Sequence, residues 1–179
     1  FLRLGNRLRA PQGATVASFA GVTVENLRCD GFRMPLAMSG IPGHRISDVA
    51  LRNVELVRRG APAMAEGGGW IPHSAAFAAN DAAPAEKAGD YPEAGMFGPL
   101  PARFLFARHV DGLTIKNLRL KANAAAKPLP AAAVSDVPLF WFDDIEDARF
   151  ADIHAPNASG PICNTASPCR PAITLSGAR

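Results

Sequence analysis

The chain has 179 residues, 48% of them apolar and 20% charged, enough for one soluble globular domain with a sizeable core. No apolar run approaches the roughly 20 residues that span a bilayer, so no membrane segment is expected. A net charge of +3 attracts polyanions weakly, but the lack of dense Lys/Arg runs and a single Tyr argue against nucleic acid.

The chain opens directly into the apolar stretch Phe1-Leu-Arg-Leu4, with no layout of a signal peptide. A start in mid-strand reads as part of a longer polypeptide, with any export signal upstream. From there one pattern recurs in chain order: Gly21-Val-Thr-Val-Glu-Asn-Leu-Arg-Cys29, Asp48-Val-Ala-Leu-Arg-Asn-Val-Glu-Leu56, Gly112-Leu-Thr-Ile-Lys-Asn-Leu-Arg-Leu120 and Asp147-Ala-Arg-Phe-Ala-Asp-Ile-His-Ala155. Each begins with Gly or Asp, alternates apolar residues, and carries Asn or Asp at the sixth place.

Alternation with period two is a strand with one buried face. The inward set is Val22, Val24, Leu27 and Cys29 in the first copy and Leu113, Ile115, Leu118 and Leu120 in the third. The alternation breaks at Asn26, Asn53, Asn117 and Asp152. These residue types tolerate the left-handed backbone of a tight bend, because their short side chains bond locally. The four are expected to stack along one axis.

A second pattern precedes the copies: Phe1–Gly5, Leu36–Gly40, Phe104–Arg108 and Leu139–Asp143, with a last example at Ile173–Gly177. No stretch keeps a helical period for three turns. Strand, turn, strand, bend, strand, repeated with loops of varying length, predicts an all-β chain: a right-handed parallel β-helix, or solenoid, of several coils with long insertions. The single partial domain spans 1–179. A β-sandwich of short strands is the alternative, but it leaves the recurring Asn unexplained.

The longest insertion runs from Ala61 to Pro101. Its Ala/Gly-rich first part is expected to be mobile, as is usual for such composition. Its second part, Tyr91-Pro-Glu-Ala-Gly-Met-Phe-Gly-Pro-Leu-Pro101, reads as ordered. It forms either a wall of a sugar-binding cleft, with Tyr91 and Glu93 meeting hydroxyls, or a cover on the side of the solenoid. Asp143-Asp144 invites a reading as the carboxylate pair of a glycosidase. Strand neighbours point to opposite faces, however, and no third carboxylate, His or Arg/Lys cluster is expected near them, so a polar strand end is favoured. Cys163 and Cys169 either close a short loop in an oxidising compartment or remain two thiols. His44, His73, His109 and His154 show no zinc-ligand spacing. Nor is there an Asp cluster for Ca²⁺, as a pectate lyase on this architecture would need. Metal and cofactor are both expected to be absent.

Several segments, taken in order, resemble the C-terminal half of bacterial glycoside hydrolase family 28 proteins. They are Phe1–Arg9, Ser39-Gly-Ile-Pro-Gly-His-Arg-Ile-Ser-Asp-Val-Ala-Leu-Arg-Asn-Val54, Tyr91–Arg103, Arg108-His-Val-Asp-Gly-Leu-Thr-Ile-Lys-Asn-Leu118 and Pro138–Asp147. The resemblance implies an inverting hydrolase of galacturonan or a related pectin chain, secreted or periplasmic, monomeric when full-length, with a polyuronate as partner. The family's Asn-Thr-Asp, Asp-Asp, Gly-His-Gly and Arg-x-Lys motifs are not present in their family context, so no catalytic residue is assigned here. The same resemblance places Asn6 or Arg7 within reach of substrate. A guanidinium suits a uronate carboxylate, though Arg3, Arg7 and Arg9 equally suit a solvated edge. The alternative function is a non-catalytic β-helix module that binds polysaccharide or supports an assembly.

Overall fold

The computed structural model describes residues 3–5, 8, 15–32, 35–58, 84–90, 96–97, 100–122, 137–155, 162–165 and 171–173. Among these there are ten strands and no helix: β1 (Arg3–Gly5), β2 (Phe19–Glu25), β3 (Arg28–Phe32), β4 (Leu36–Ser39), β5 (Ile46–Arg58), β6 (Leu105–Ala122), β7 (Phe140–Glu146), β8 (Ala148–His154), β9 (Cys163–Thr165) and β10 (Pro171–Ile173). All ten belong to one sheet, and every strand pairing in it is parallel.

The four repeats lie side by side in register. Val22 pairs with Val49, Val49 with Leu113, Leu51 with Ile115, and Ile115 with Phe150. The expected inward residues fill the main core, where Val49, Leu51, Leu113 and Ile115 are at most 1% exposed. Val22, Val24, Leu27 and Cys29, at the end of the stack, are partly buried against it.

The bends stack as the sequence predicts. Asn26, Asn53, Asn117 and Asp152 all have left-handed backbones, with φ of 56°, 52°, 54° and 57°. The residues that open each repeat form a second left-handed column: Gly21 (71°), Asp48 (53°), Gly112 (73°) and Asp147 (43°). Gly and Asp are among the few residues that adopt this conformation readily, which explains why those two types alternate there.

The preceding pattern behaves differently, and its expected alignment needs correction. Leu36 pairs with Leu105, one residue later than aligning Leu36 with Phe104 implies, whereas Leu105 pairs with Phe140, so Phe104 aligns with Leu139 as expected. β4 is buried at all four positions. Leu36, Met38, Leu105, Ala107, Phe140 and Phe142 face the main core, while Ala37, Phe106 and Trp141 face a second cluster with Leu100 and Ala102. With both faces apolar, alternation carries no phase. The C-terminal example is also reassigned: Cys163–Thr165 continues this column by pairing with Phe140–Phe142, whereas Pro171–Ile173 pairs with Ala148–Phe150 in the other.

The second cluster takes in the described part of the Tyr91–Pro101 segment. Phe97 packs on Phe106 at 5.7 Å, Phe106 stacks on Trp141 at 5.4 Å, and Leu100 is 1% exposed. This part of the insertion covers the side of the sheet.

Candidate functional site

The densest polar cluster lies where β6 and β7 each make a left-handed bend, at His109 (φ 50°) and Asp144 (φ 52°). Arg108 pairs with Asp143 in the ladder and Ser39 with Arg108, so Gly40, His109 and Asp144 follow in one column. Gly40 leaves no room for a side chain: a Cβ there would sit 2.4 Å from the His109 carbonyl oxygen and 2.9 Å from the His109 Cβ. Between Ser39 and Ile46 the chain holds residues 40–45, where β6 has His109 alone between Arg108 and Val110. That turn carries Arg45 across to β7.

Arg45 donates to both oxygens of Asp144, at 2.5 Å from Nη2 and 3.3 Å from Nε, and its Nη1 meets Glu146 at 2.8 Å. The hydrogen bonds from Arg45, with a further contribution from His109, hold the Asp144 carboxyl below the usual carboxylate range against the opposing effect of burial. The same bonds raise Arg45 further above its ordinary value.

Arg108 is fully buried. Its Nη2 donates to the Pro84 carbonyl oxygen, and its guanidinium lies over the rings of Phe97 and Phe106 at 5.6 and 5.3 Å. Its Nε reaches Asp143 at 3.2 Å and its Nη1 reaches Glu86 at 3.0 Å. These are ion-pair distances without hydrogen-bonding angles. His109 lies between two carboxylates, with Nδ1 2.6 Å from Asp144 Oδ2 and Nε2 3.0 Å from Glu86 Oε1.

This overturns the expectation that Asp143-Asp144 stands apart from any His, Arg or third carboxylate. His109, Arg108, Arg45, Glu86 and Glu146 all converge on the pair. No local spacing reveals this, because Arg45 and Asp144 are 99 residues apart and Glu86 lies in the insertion. Asp143 is engaged by the buried Arg108 guanidinium, and Arg45 holds the Asp144 carboxyl below the usual range, so Asp144 is poorly suited to donate a proton. The carboxylates of Glu86 and Asp144 meet opposite nitrogens of one ring and do not converge on a point. Among the described residues no group of His, Cys, Asp and Glu is placed to hold a metal ion.

The expected substrate-contacting residues Asn6, Arg7, Tyr91 and Glu93 lie outside the described residues, as does Cys169. Comparison with protein-family models, curated proteins and solved structures finds no match.

Proposed function

We propose that this chain supplies the C-terminal rungs of a right-handed parallel β-helix in a pectin-type glycoside hydrolase, polygalacturonase-like and inverting, whose catalytic carboxylates lie in upstream rungs. The observation that carries the solenoid reading is the stacking of Asn26, Asn53, Asn117 and Asp152, each left-handed and each at the same place in a parallel register. A repeat that buries its apolar face only on its neighbours, turning at fixed places, is the physical content of a solenoid. The right hand follows from the near-universal sense of parallel crossover connections. The hydrolase reading rests on the ordered set of segments that resemble glycoside hydrolase family 28. On this reading the protein is secreted or periplasmic, monomeric, and acts on polyuronate.

The alternative is a β-helix module without catalysis, and the ion pairs of Asp143 and Asp144 fit both readings. Reducing-sugar release from polygalacturonate and rhamnogalacturonan oligomers separates the two. The hydrolase reading expects release by the parent polypeptide and none by residues 1–179 alone. Release by neither favours the module.

A further inference from the structure

Residues 84–90 run along the flank of the sheet as a strap. Leu8 donates its backbone amide to the Ala88 carbonyl oxygen at 2.7 Å. At the other end Pro84 and Glu86 are held by Arg108, and Glu86 is held by His109. A turn closed by Lys87 and Asp90 completes the strap, with a backbone bond of 3.1 Å and an ion pair of 3.3 Å.

We propose that His109 is a proton-operated latch that holds the 84–90 strap on the sheet, closed when the imidazole carries two protons. The argument is geometric. A neutral imidazole has one N–H and one bare lone pair. Here both ring nitrogens face carboxylate oxygens, at 2.6 and 3.0 Å, so both contacts are favourable only in the imidazolium. The ring itself meets Asp144 and Glu86, and the titratable and charged groups around that contact come from every neighbouring element. β6 brings Arg108, β7 brings Asp143, Asp144 and Glu146, the 40–45 turn brings Arg45 beside His44, and the strap brings Glu86 near Lys87 and Asp90. The imidazolium adds a third positive charge to the two guanidiniums that face the four carboxylates Glu86, Asp143, Asp144 and Glu146.

When the ring loses a proton, the shorter Nδ1 contact to Asp144 retains the one that remains. The Nε2 lone pair then opposes Glu86 Oε1. Glu86 is left with Arg108 Nη1, which does not meet it at a hydrogen-bonding angle. The latch is therefore closed while both ring nitrogens carry protons and opens when one is lost as pH rises. It stands on these contacts alone and does not depend on what the protein acts on.

Amide hydrogen exchange of Leu8 and Asp90, whose N–H groups bond Ala88 and Lys87 of the strap, corrected for the intrinsic rate and followed from about pH 5 to 8, tests it. The expected result is a fall in protection of about tenfold across that range, with the β6 core amides unchanged. His109→Asn keeps a residue type suited to the left-handed backbone and removes the cation; it should be poorly protected at every pH. Glu86→Gln leaves His109 intact and should also abolish the step, which keeps the test decisive if the first variant folds poorly. Constant protection in the unaltered protein, or a step that survives Glu86→Gln, would overturn the latch. So would ring nitrogen NMR signals showing a singly protonated His109 at the acid end.

Discussion

Asn117 donates its side-chain amide to Asn53 Oδ1 at 2.9 Å, although 64 residues separate them in the chain. Asn53 in turn donates to Asn26 at 3.1 Å, so three successive rungs are joined by one amide ladder along the left-handed bends. Backbone conformation and side-chain bonding select the same residue at the same place.

The ladder predicts an ordered response at Asn53. Asn53→Gly keeps the φ of 52° without strain and loses the two amide bonds. Asn53→Ala loses the bonds and also places a Cβ in the left-handed region. Urea denaturation should show a loss of about 1 kcal/mol for Gly and about 2–3 kcal/mol for Ala. Equal losses would mean that the bend conformation contributes nothing.

Gly40 and Gly21 should respond very differently to alanine. A Cβ at Gly40 meets backbone at 2.4 Å, and the rung above cannot retreat without breaking the ladder. Gly21, at φ +71°, has nothing within 4 Å of a new Cβ. Gly40→Ala is expected to lose about 3 kcal/mol or more, or to fail to fold, and Gly21→Ala about 1 kcal/mol. Thermal melts of the two variants read this directly.

Asp144 makes stability fall in acid. Its carboxyl is held below the ordinary range by Arg45 and then by His109, so its contribution is fully present above the unfolded-state carboxylate pKa of about 3.9 and is lost as pH falls through the lower folded value. Asp144→Asn suits the left-handed backbone and removes the charge. At pH 7 it should be less stable by about 1 kcal/mol, a modest figure because the pair is partly solvated, and the gap should close towards about pH 2. Denaturant midpoints measured across that range give the sign.

Trp141 is fully buried against Phe106, and its indole Nε1 has no hydrogen-bond partner among the described residues. Trp141→Phe keeps an aromatic face and removes an unpaired donor, so it should change stability by less than about 1.5 kcal/mol. Trp141→Ala opens a cavity on β7 beside Phe106 in the second cluster and should lose about 3–5 kcal/mol. A large loss in the Phe variant would point to a partner for the indole N–H.

The legible part of the fold was the part with phase. The Gly/Asp openings, the Asn bends and the inward residues of β2, β5, β6 and β8 could be read off because one face of each strand is polar and one residue type marks each bend. β4 was displaced by one residue because both its faces are apolar and the longer 40–45 turn alters its spacing to the bend, whereas Phe104 and Leu139, each 13 residues before its bend residue, kept their alignment; Ile173 was placed in the wrong column because no Asn marks the register there. The site was legible only as two adjacent aspartates. Their partners arrive by the path of the 40–45 turn and of the insertion, which no local spacing encodes.

The most direct test of the central claim is hydrolysis of polygalacturonate by the parent polypeptide carrying Asp143→Asn and Asp144→Asn, each with folding checked by its melt. The account gives both aspartates a role in holding rungs and none in catalysis. It predicts that kcat stays within a few-fold of the unaltered parent, at about the level expected for a site away from the chemistry. A loss of about a thousandfold or more in a folded variant would put the catalytic carboxylates inside this chain and contradict it.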